Sequence, residues 1–291
     1  MKFTFKQFQA EFPDDAACLE RLMTIKFGGT KLTCPGCGTV DAQFHAMGTR
    51  KAYACQDCGH HIYPCAGTIF HKSSTKLTNW FFAMYLMTST RHGVAAKELQ
   101  RQIGCTYKTA WRMAHELRKL MAAADRKGKL SGHIEVDEMY HGPKTDKKHS
   151  KKSKAVLFGA VERGGDIRVG VVENTQMGTI KPTIALNVEK GSKISTDDGR
   201  HYLNLSGMGY DHQSVNHSAY EWVRGDIHTN SIEGHWGLFR RAIKGTNVHV
   251  SKKHLWKYAS EFAYRRNLRG CHWTMFNRLL AGLALPRLVE P

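Results

Sequence analysis

Three acidic side chains occupy positions from which they could hold divalent metal ions. Asp137 ends a strand-like apolar run, Asp197 follows a second such run, and Glu233 stands in a helical segment that also carries Arg240 and Arg241. Carboxylates at strand ends and on a nearby helix can converge on two Mg²⁺ or Mn²⁺ ions. Two such ions stabilise the attacking and leaving oxygens of a phosphodiester. The three acids therefore predict metal-dependent chemistry on a nucleic acid backbone.

The third acidic position has two interpretations. Asn230 followed three residues later by Glu233 is typical of a helix N-cap with its capping-box partner, a pattern that needs no catalysis. However, Arg240 lies two helical turns beyond Glu233 on the same face, where a cation could hold a phosphate. The Asn230 amide could also reach a metal-bound water. Both residues, with Arg240, are therefore candidates for the active site.

Other acids near the first two candidates have simpler roles. Asp198 precedes Gly199, and an Asp-Gly pair favours a turn, so we expect Asp198 to form the turn and Asp197 to act as the ligand. Strand alternation places Glu135 on the same face as Asp137 and Glu138 on the opposite face.

The elements around these acids occur in a recognisable order. Three strands, a helix, a fourth strand and two later helices are predicted at residues 133–140, 155–162, 166–173, 178–190, 192–196, 228–245 and 251–269. Gly164-Gly165 makes a hairpin turn between the second and third strands. This is the order of an RNase H-like core in an α/β (α+β) protein. We expect that catalytic domain to span residues 129–285.

Two cysteine pairs give the most specific local signal in the chain. Each pair has two intervening residues followed by glycine, which permits a tight turn: Cys34, Cys37, Cys55 and Cys58. Four thiolates arranged in this way predict one structural Zn²⁺ in a zinc ribbon at residues 31–72. The alternative is four reduced, buried thiols. A small helical lead-in, with a helix starting near Asp14, is predicted over residues 1–30.

A pair of short helices is predicted between the zinc ribbon and the catalytic domain. Residues 94–103 and 106–115 flank Gly104-Cys105, which is typical of a helix-turn-helix in a helical region spanning 73–128. An ordinary helical hairpin is the alternative. The second helix begins with side chains suited to contact bases or phosphates: Thr106, Tyr107, Lys108, Thr109 and Arg112.

The net charge favours a polyanionic partner. The chain of 291 residues has 43 Lys and Arg against 25 Asp and Glu, a formal charge of +18. Binding DNA phosphates with so many cations releases condensed counterions. Further candidate DNA contacts lie in a basic loop and on the helix after Glu233: Lys147, Lys148, Lys151, Lys152, Arg241 and Lys244.

Membrane insertion and secretion are not indicated by the sequence. No run approaches about 18 apolar residues, and the first residues lack the pattern of a secretory signal. We therefore expect a cytoplasmic, nucleoid-associated protein with reduced cysteines.

Taken together, these motifs resemble those of DDE-type bacterial insertion-sequence transposases with an N-terminal zinc ribbon, the ISXO2-like family. The resemblance covers nearly the whole chain from about residue 20. Its segments are both cysteine pairs, AGTIF from Ala66, IEVDE from Ile134, Thr196-Asp197, HTNSIEGHWGLFRR from His228 and the stretch from His254 to Asn267.

The resemblance implies an RNase H-like enzyme that cuts double-stranded DNA at transposon terminal inverted repeats and joins the 3′-hydroxyl to target DNA, as a homo-oligomer. It implies Asp137 and Asp197 as the first two metal ligands. The third position in this family is an acid, or an asparagine followed by a basic residue, which both Glu233 and Asn230 satisfy. Two other functions stay open: a non-catalytic, domesticated DNA-binding protein, and a structure-specific nuclease without strand transfer.

Overall fold

The computed structural model describes residues 3–125, 128–142, 154–270 and 272–286. The chain divides into two compact units, one formed by residues 1–124 with 268–291 and the other by residues 125–267. The second unit is thus inserted between two parts of the first. No helix in the described ranges is long and apolar enough to cross a membrane.

The first unit begins with two helices and a small sheet. Helix α1 spans Phe5–Glu11 and α2 spans Asp15–Phe27, and Asp14 caps α2 by accepting a hydrogen bond from the Ala17 amide. The helix predicted to start near Asp14 is therefore confirmed. An antiparallel sheet follows in the order β1-β2-β3-β4, with bounds Lys31–Leu32, Ala42–Ala46, Tyr53–Cys55 and His61–Ile62.

Helices complete the first unit. They are α3 (Leu77–Ser89), α4 (Ala96–Ile103), α5 (Tyr107–Ala124) and α9 (His272–Ala281). Helix α3 is strongly apolar and buries side chains such as Trp80 and Phe81 completely. Helix α9 packs on α3 and α5, so residues far apart in sequence share one hydrophobic core.

The second unit is built on a mixed sheet in the order β7-β6-β5-β8-β9. The strands are β5 (His133–His141), β6 (Ala155–Glu162), β7 (Ile167–Val172), β8 (Lys193–Thr196) and β9 (Asp211–Ser214). Strands β5, β6 and β7 pair antiparallel, whereas β8 pairs parallel with both β5 and β9. The predicted strands and the hairpin between β6 and β7 are confirmed.

Helices cover both faces of this sheet. They are α6 (Met177–Asn187), α7 (Asn230–Ala242), which continues as a π-helical turn over Ile243–Asn247, and α8 (Lys252–Asn267). One hydrophobic cluster packs α7 and α8 against β5, β6 and β7, and another packs α6 against the opposite face. Helix α6 ends before the predicted residue 190 because Val188 adopts extended backbone and bridges to Leu130.

Candidate active site and zinc centre

The parallel pairing of β5 with β8 brings two candidate acids to neighbouring strands. Asp137 lies within β5, and Asp197 follows the last residue of β8. The register pairs Glu135 with Ser195, and from this pair both strands run in the same direction, each reaching its aspartate two residues later. Parallel neighbours carry their carboxyl-terminal side chains to the same edge of a sheet, which explains how residues 60 positions apart approach each other.

Burial and neighbouring acids make Asp137 difficult to ionise. Its pKa is raised to about 7, first by burial and then by the negative charges of Glu138, Asp197 and Glu233. Repulsion of this kind is relieved when a cation binds among the carboxylates. Two of the three charges belong to the predicted trio, so the fold brings the trio into one electrostatic neighbourhood.

The acids do not converge on a single point. Among the described residues, only the cysteine cluster brings three or more metal-ligating atoms within 4.8 Å of one another. The carboxylates of Asp137, Asp197 and Glu233 are therefore spread more widely than the ligands of one closed site. An open arrangement suits ions that also bind water and substrate oxygens.

Trp236, which the sequence did not single out, orients the Asp137 side chain. Its indole Nε1 donates a hydrogen bond of 3.1 Å to Asp137 Oδ2. Gly159, opposite Asp137 on β6, makes room for this ring, because a Cβ at that position would lie 2.5 Å from the indole and 2.7 Å from Ile232. The glycine is thus required by the close approach of α7.

Asp197 is fixed by its own turn. Its Oδ1 accepts a hydrogen bond of 3.0 Å from the Gly199 amide. The prediction that Asp198 makes this turn contact is therefore wrong, because the oxygen of Asp197 reaches two residues ahead while Asp198 is exposed. The backbone amide of Gly199 therefore orients the Asp197 carboxylate.

The capping-box interpretation of α7 is also wrong. Thr229 is the N-cap residue, and Asn230 is the first residue within the helix. Glu233 accepts a hydrogen bond of 2.7 Å from the Thr229 hydroxyl, and His217 Nε2 lies 4.0 Å from the same oxygen. Asn230, Glu233 and Arg240 are all exposed, as expected for residues that meet a substrate.

Glu135 ties α7 to the strand that carries Asp137. This glutamate is completely buried and accepts hydrogen bonds from the Ser231 amide (2.7 Å), the Ser231 hydroxyl (3.0 Å) and the Ile232 amide (3.2 Å). Arg163 compensates its charge through a contact of 2.8 Å. A carboxylate at the exposed amides of a helix N-terminus is strongly favoured, so Glu135 sets the position of the helix that bears Glu233.

Glu138 has the corresponding role on the other face of β5. Its carboxylate accepts from Tyr202 Oη at 2.8 Å and contacts His201 Nε2 at 2.8 Å. Burial lowers the pKa of His201, but Glu138 outweighs this effect and raises the pKa above its ordinary value. Both partners follow Asp197 closely in sequence. A charged residue in a central strand needs polar partners. The presence of Glu135 and Glu138 within an otherwise apolar strand is therefore the sequence signal that could have identified them.

The four predicted zinc ligands lie together in the first unit. Cys34 and Cys37 form one tight turn and Cys55 and Cys58 another, and their sulfur atoms all lie within 4.8 Å of one another. The glycine after each pair has φ of +75° or +73°, as the turns require. Four thiolates at this separation match a tetrahedral Zn²⁺ with Zn–S distances of about 2.3 Å. The donor set therefore fits zinc, and this prediction is confirmed.

The candidate DNA contacts of the first unit lie at the start of α5. Thr106, Tyr107 and Lys108 are exposed, and Thr109 is partly exposed. Arg112 is exposed too, but its guanidinium donates to Ser73 Oγ at 3.1 Å and lies over the Trp80 ring. In the second unit, Arg241 and Lys244 are exposed. Lys147, Lys148, Lys151 and Lys152 lie outside the described residues.

Comparisons with known proteins identify the family. Residues 129–267 match the ISXO2-like transposase domain, and residues 13–61 match the transposase zinc-ribbon domain. The chain is also similar to an uncharacterized protein in the transposable element ISH50 of Halobacterium salinarum, at 26% identity over 255 residues, covering 81% of this chain and 85% of that protein. The matched domain contains the three acids, and the matched ribbon contains the four cysteines. The chain therefore contains an ISXO2-like transposase domain and a transposase zinc-ribbon domain.

Proposed function

We propose that this protein is an active transposase of an insertion sequence. It binds double-stranded DNA at the terminal inverted repeats of its element, cuts there, and joins the resulting 3′-hydroxyl to target DNA. The observation that carries the proposal is the pairing of β5 with β8, which brings Asp137 and Asp197 to neighbouring parallel strands. The charge of Glu233 also acts on Asp137, whose pKa is raised to about 7 by burial first and then by the nearby acids. The strand order β7-β6-β5-β8-β9 supports an RNase H-like core. The match of residues 129–267 to the ISXO2-like transposase domain supports the same reaction.

Asp137, Asp197 and Glu233 would hold two Mg²⁺ or Mn²⁺ ions, with Asn230 as the alternative third ligand. Such ions supply charge stabilisation at the attacking and leaving oxygens of the phosphodiester. The chain contributes the orientation of the carboxylates: Trp236 fixes Asp137, the turn at Gly199 fixes Asp197, and Glu135 fixes α7. Arg240, exposed on α7, would bind a phosphate near the cut.

DNA recognition falls to the first unit in this proposal. Helices α4 and α5 would act as a helix-turn-helix, with the exposed start of α5 against the bases. The zinc ribbon would position this unit on DNA. On α7, Arg241 and Lys244 would contact the backbone, and two or more chains would act together on the two ends.

A joining assay tests the proposal. Protein, Mg²⁺ and labelled DNA carrying the terminal repeats that flank the gene are incubated with a target plasmid. Joined product supports the proposal, cut product alone indicates a nuclease, and a mobility shift without cutting indicates a binding protein. Asp137→Ala should lower cutting and joining at least about 10³-fold while DNA binding stays nearly unchanged. Full activity in that variant would sink the assignment.

A further inference from the structure

Two aromatic side chains in one segment of the second unit are unusually exposed. Tyr220 has 85% of its surface accessible and Trp222 has 54%. Both belong to the segment of residues 216–226, hereafter the aromatic loop. Large apolar side chains grouped on a surface mark interaction sites more often than isolated ones do.

Hydrogen bonds hold the aromatic loop in its shape. Near its start, the Asn216 side-chain oxygen accepts a hydrogen bond of 2.9 Å from the Ala219 backbone amide, and the Asn216 backbone amide donates one of 3.2 Å to the Glu221 carboxylate. Near its end, Arg224 donates to the Ser214 carbonyl at 2.7 Å and Asp226 contacts Lys193 at 2.6 Å. These contacts hold the segment from which the two aromatic rings extend.

The backbone of the loop favours the same conclusion. Tyr220 has φ of +60°, a left-handed conformation that an aromatic residue rarely adopts and that glycine or asparagine would tolerate more easily. The ring nevertheless occupies this position and projects into solvent instead of packing. Strain of this kind, where no core packing is gained, is typical of functional positions.

The position of Trp222 relative to the acids suggests what it binds. Its ring lies 4.6 Å from the His217 ring, centroid to centroid, and His217 Nε2 lies 4.0 Å from Glu233 Oε1. One imidazole thus separates the indole from a carboxylate proposed to act at the scissile phosphate. A ligand that places a phosphate at the acids would present the base of a neighbouring nucleotide to the aromatic loop.

We propose that Trp222, assisted by Tyr220, stacks on an unpaired nucleobase next to the phosphodiester that is cut. This inference rests on the proposed function. Every base has a π-face, so an exposed ring binds bases with little sequence preference. Duplex DNA keeps its bases inside the stack, and a protein that acts on the backbone can capture a base that leaves it. The site therefore takes a single-stranded or extruded nucleotide, whatever its identity.

A double-mutant cycle between protein and DNA tests this. The probe is a fluorescein-labelled terminal-repeat duplex with a four-nucleotide dT extension, compared with one whose extension lacks all bases. Affinities are measured by anisotropy with Ca²⁺. Trp222→Ala should weaken binding of the dT probe about five- to hundredfold, with no further loss on the abasic probe. Trp222→Phe should stay within about threefold of the parent chain, because it retains a stacking ring.

The exposed Leu186, 75% accessible on α6, provides the control. Leu186→Ala should leave both affinities unchanged. Equal weakening of both probes by Trp222→Ala, or no weakening, would overturn the base-stacking inference. A different oligomer mass of the Trp222→Ala variant without DNA would also overturn it, because that result would indicate that Trp222 contacts a second chain. If the cycle appears but no DNA is cut in the joining assay, the base site stands and the proposed function falls. If DNA is joined but Trp222→Ala shows no base-dependent loss of affinity, the proposed function stands and the base-stacking inference falls.

Discussion

The cysteine cluster and the acid cluster each gather side chains that repel one another once ionised, but they do so differently. The cysteines come from two turns near each other in sequence, and their sulfurs lie within 4.8 Å of one another. The acids come from β5, the end of β8 and α7, and they remain more widely spaced. The spacing of the cysteines is that of a site that a metal closes and stabilises, whereas the wider spacing of the acids suits the proposed site, which must also admit substrate.

The closed cluster should give the largest effect. Cys55→Ser removes a buried zinc ligand, and structural zinc contributes on the order of 10 kcal/mol to the folding of small domains. We expect the bound zinc to fall from one ion per chain to nearly none, with loss of ordered structure around β1 to β4. Metal analysis and NMR of the purified chain measure this. Cys105→Ser, outside the cluster, serves as the control and should keep its zinc.

The open cluster should respond through activity instead. Asp197→Asn should lower joining about 10²-fold or more, because one metal ligand loses its charge, whereas the adjacent and exposed Asp198→Asn should retain activity. The same assay decides the third ligand by comparing Glu233→Gln with Asn230→Ala. A loss confined to Asn230→Ala would assign the third position to the amide and would contradict the leading role of Glu233.

The stability of the second unit should depend on pH through Asp137. The pKa of Asp137 is about 7 in the folded chain and near 3.8 in its ordinary state. Ionising it therefore costs folding free energy that is absent below about pH 4, grows as pH rises and is complete above pH 7. Without metal, Asp137→Asn should raise the unfolding free energy by about 2–4 kcal/mol at pH 8. Urea unfolding measures the gain, which should vanish near pH 4.

Saturating Mg²⁺ should remove most of that difference, since the cation stabilises the ionised parent chain and not the variant. Equal stabilities of parent and variant at pH 8 without metal would show that burial and the neighbouring acids do not oppose ionisation of Asp137.

The smallest effect concerns the packing that orients Asp137. Gly159→Ala inserts a methyl group against Trp236 and should destabilise the second unit by about 1–3 kcal/mol. It should also reduce joining, because the indole is displaced from Asp137. Gly170→Ala on β7, where a Cβ meets nothing within 4 Å, is the matched control. A similar melting temperature for both variants would contradict the close-approach explanation.

The sequence predicted local features better than contacts between distant elements. The cysteine pairs and strands β5 to β8 depend on spacing and alternation within short segments, and they were predicted correctly, whereas the short and partly polar strand β9 was not predicted. The hydrogen bond from Trp236 to Asp137 and the anchoring of α7 by Glu135 join residues almost a hundred positions apart. Such contacts depend on the register of packed elements, which local patterns do not encode.

The errors have the same origin. Asp198 and Asn230 were assigned the turn and the cap because their residue types favour those positions. Instead, Asp197 and Thr229 occupy them, each by a shift of one residue. The start of a helix that is anchored by a buried glutamate from another strand is set by that anchor as much as by its own capping residues.

The return of α9 to the first unit has a consequence for synthesis on the ribosome. Helices α3 and α5 pack against residues 272–281, so their apolar surfaces lack this cover until that segment has emerged. At about 5–20 residues/s, the roughly 150 residues after α5 take about 7–30 s to translate. A nascent chain in that interval exposes the apolar surface of α3 and α5 that α9 later covers, and a truncated fragment ending after α5 would expose it permanently. We therefore expect such fragments to depend on chaperones or to aggregate.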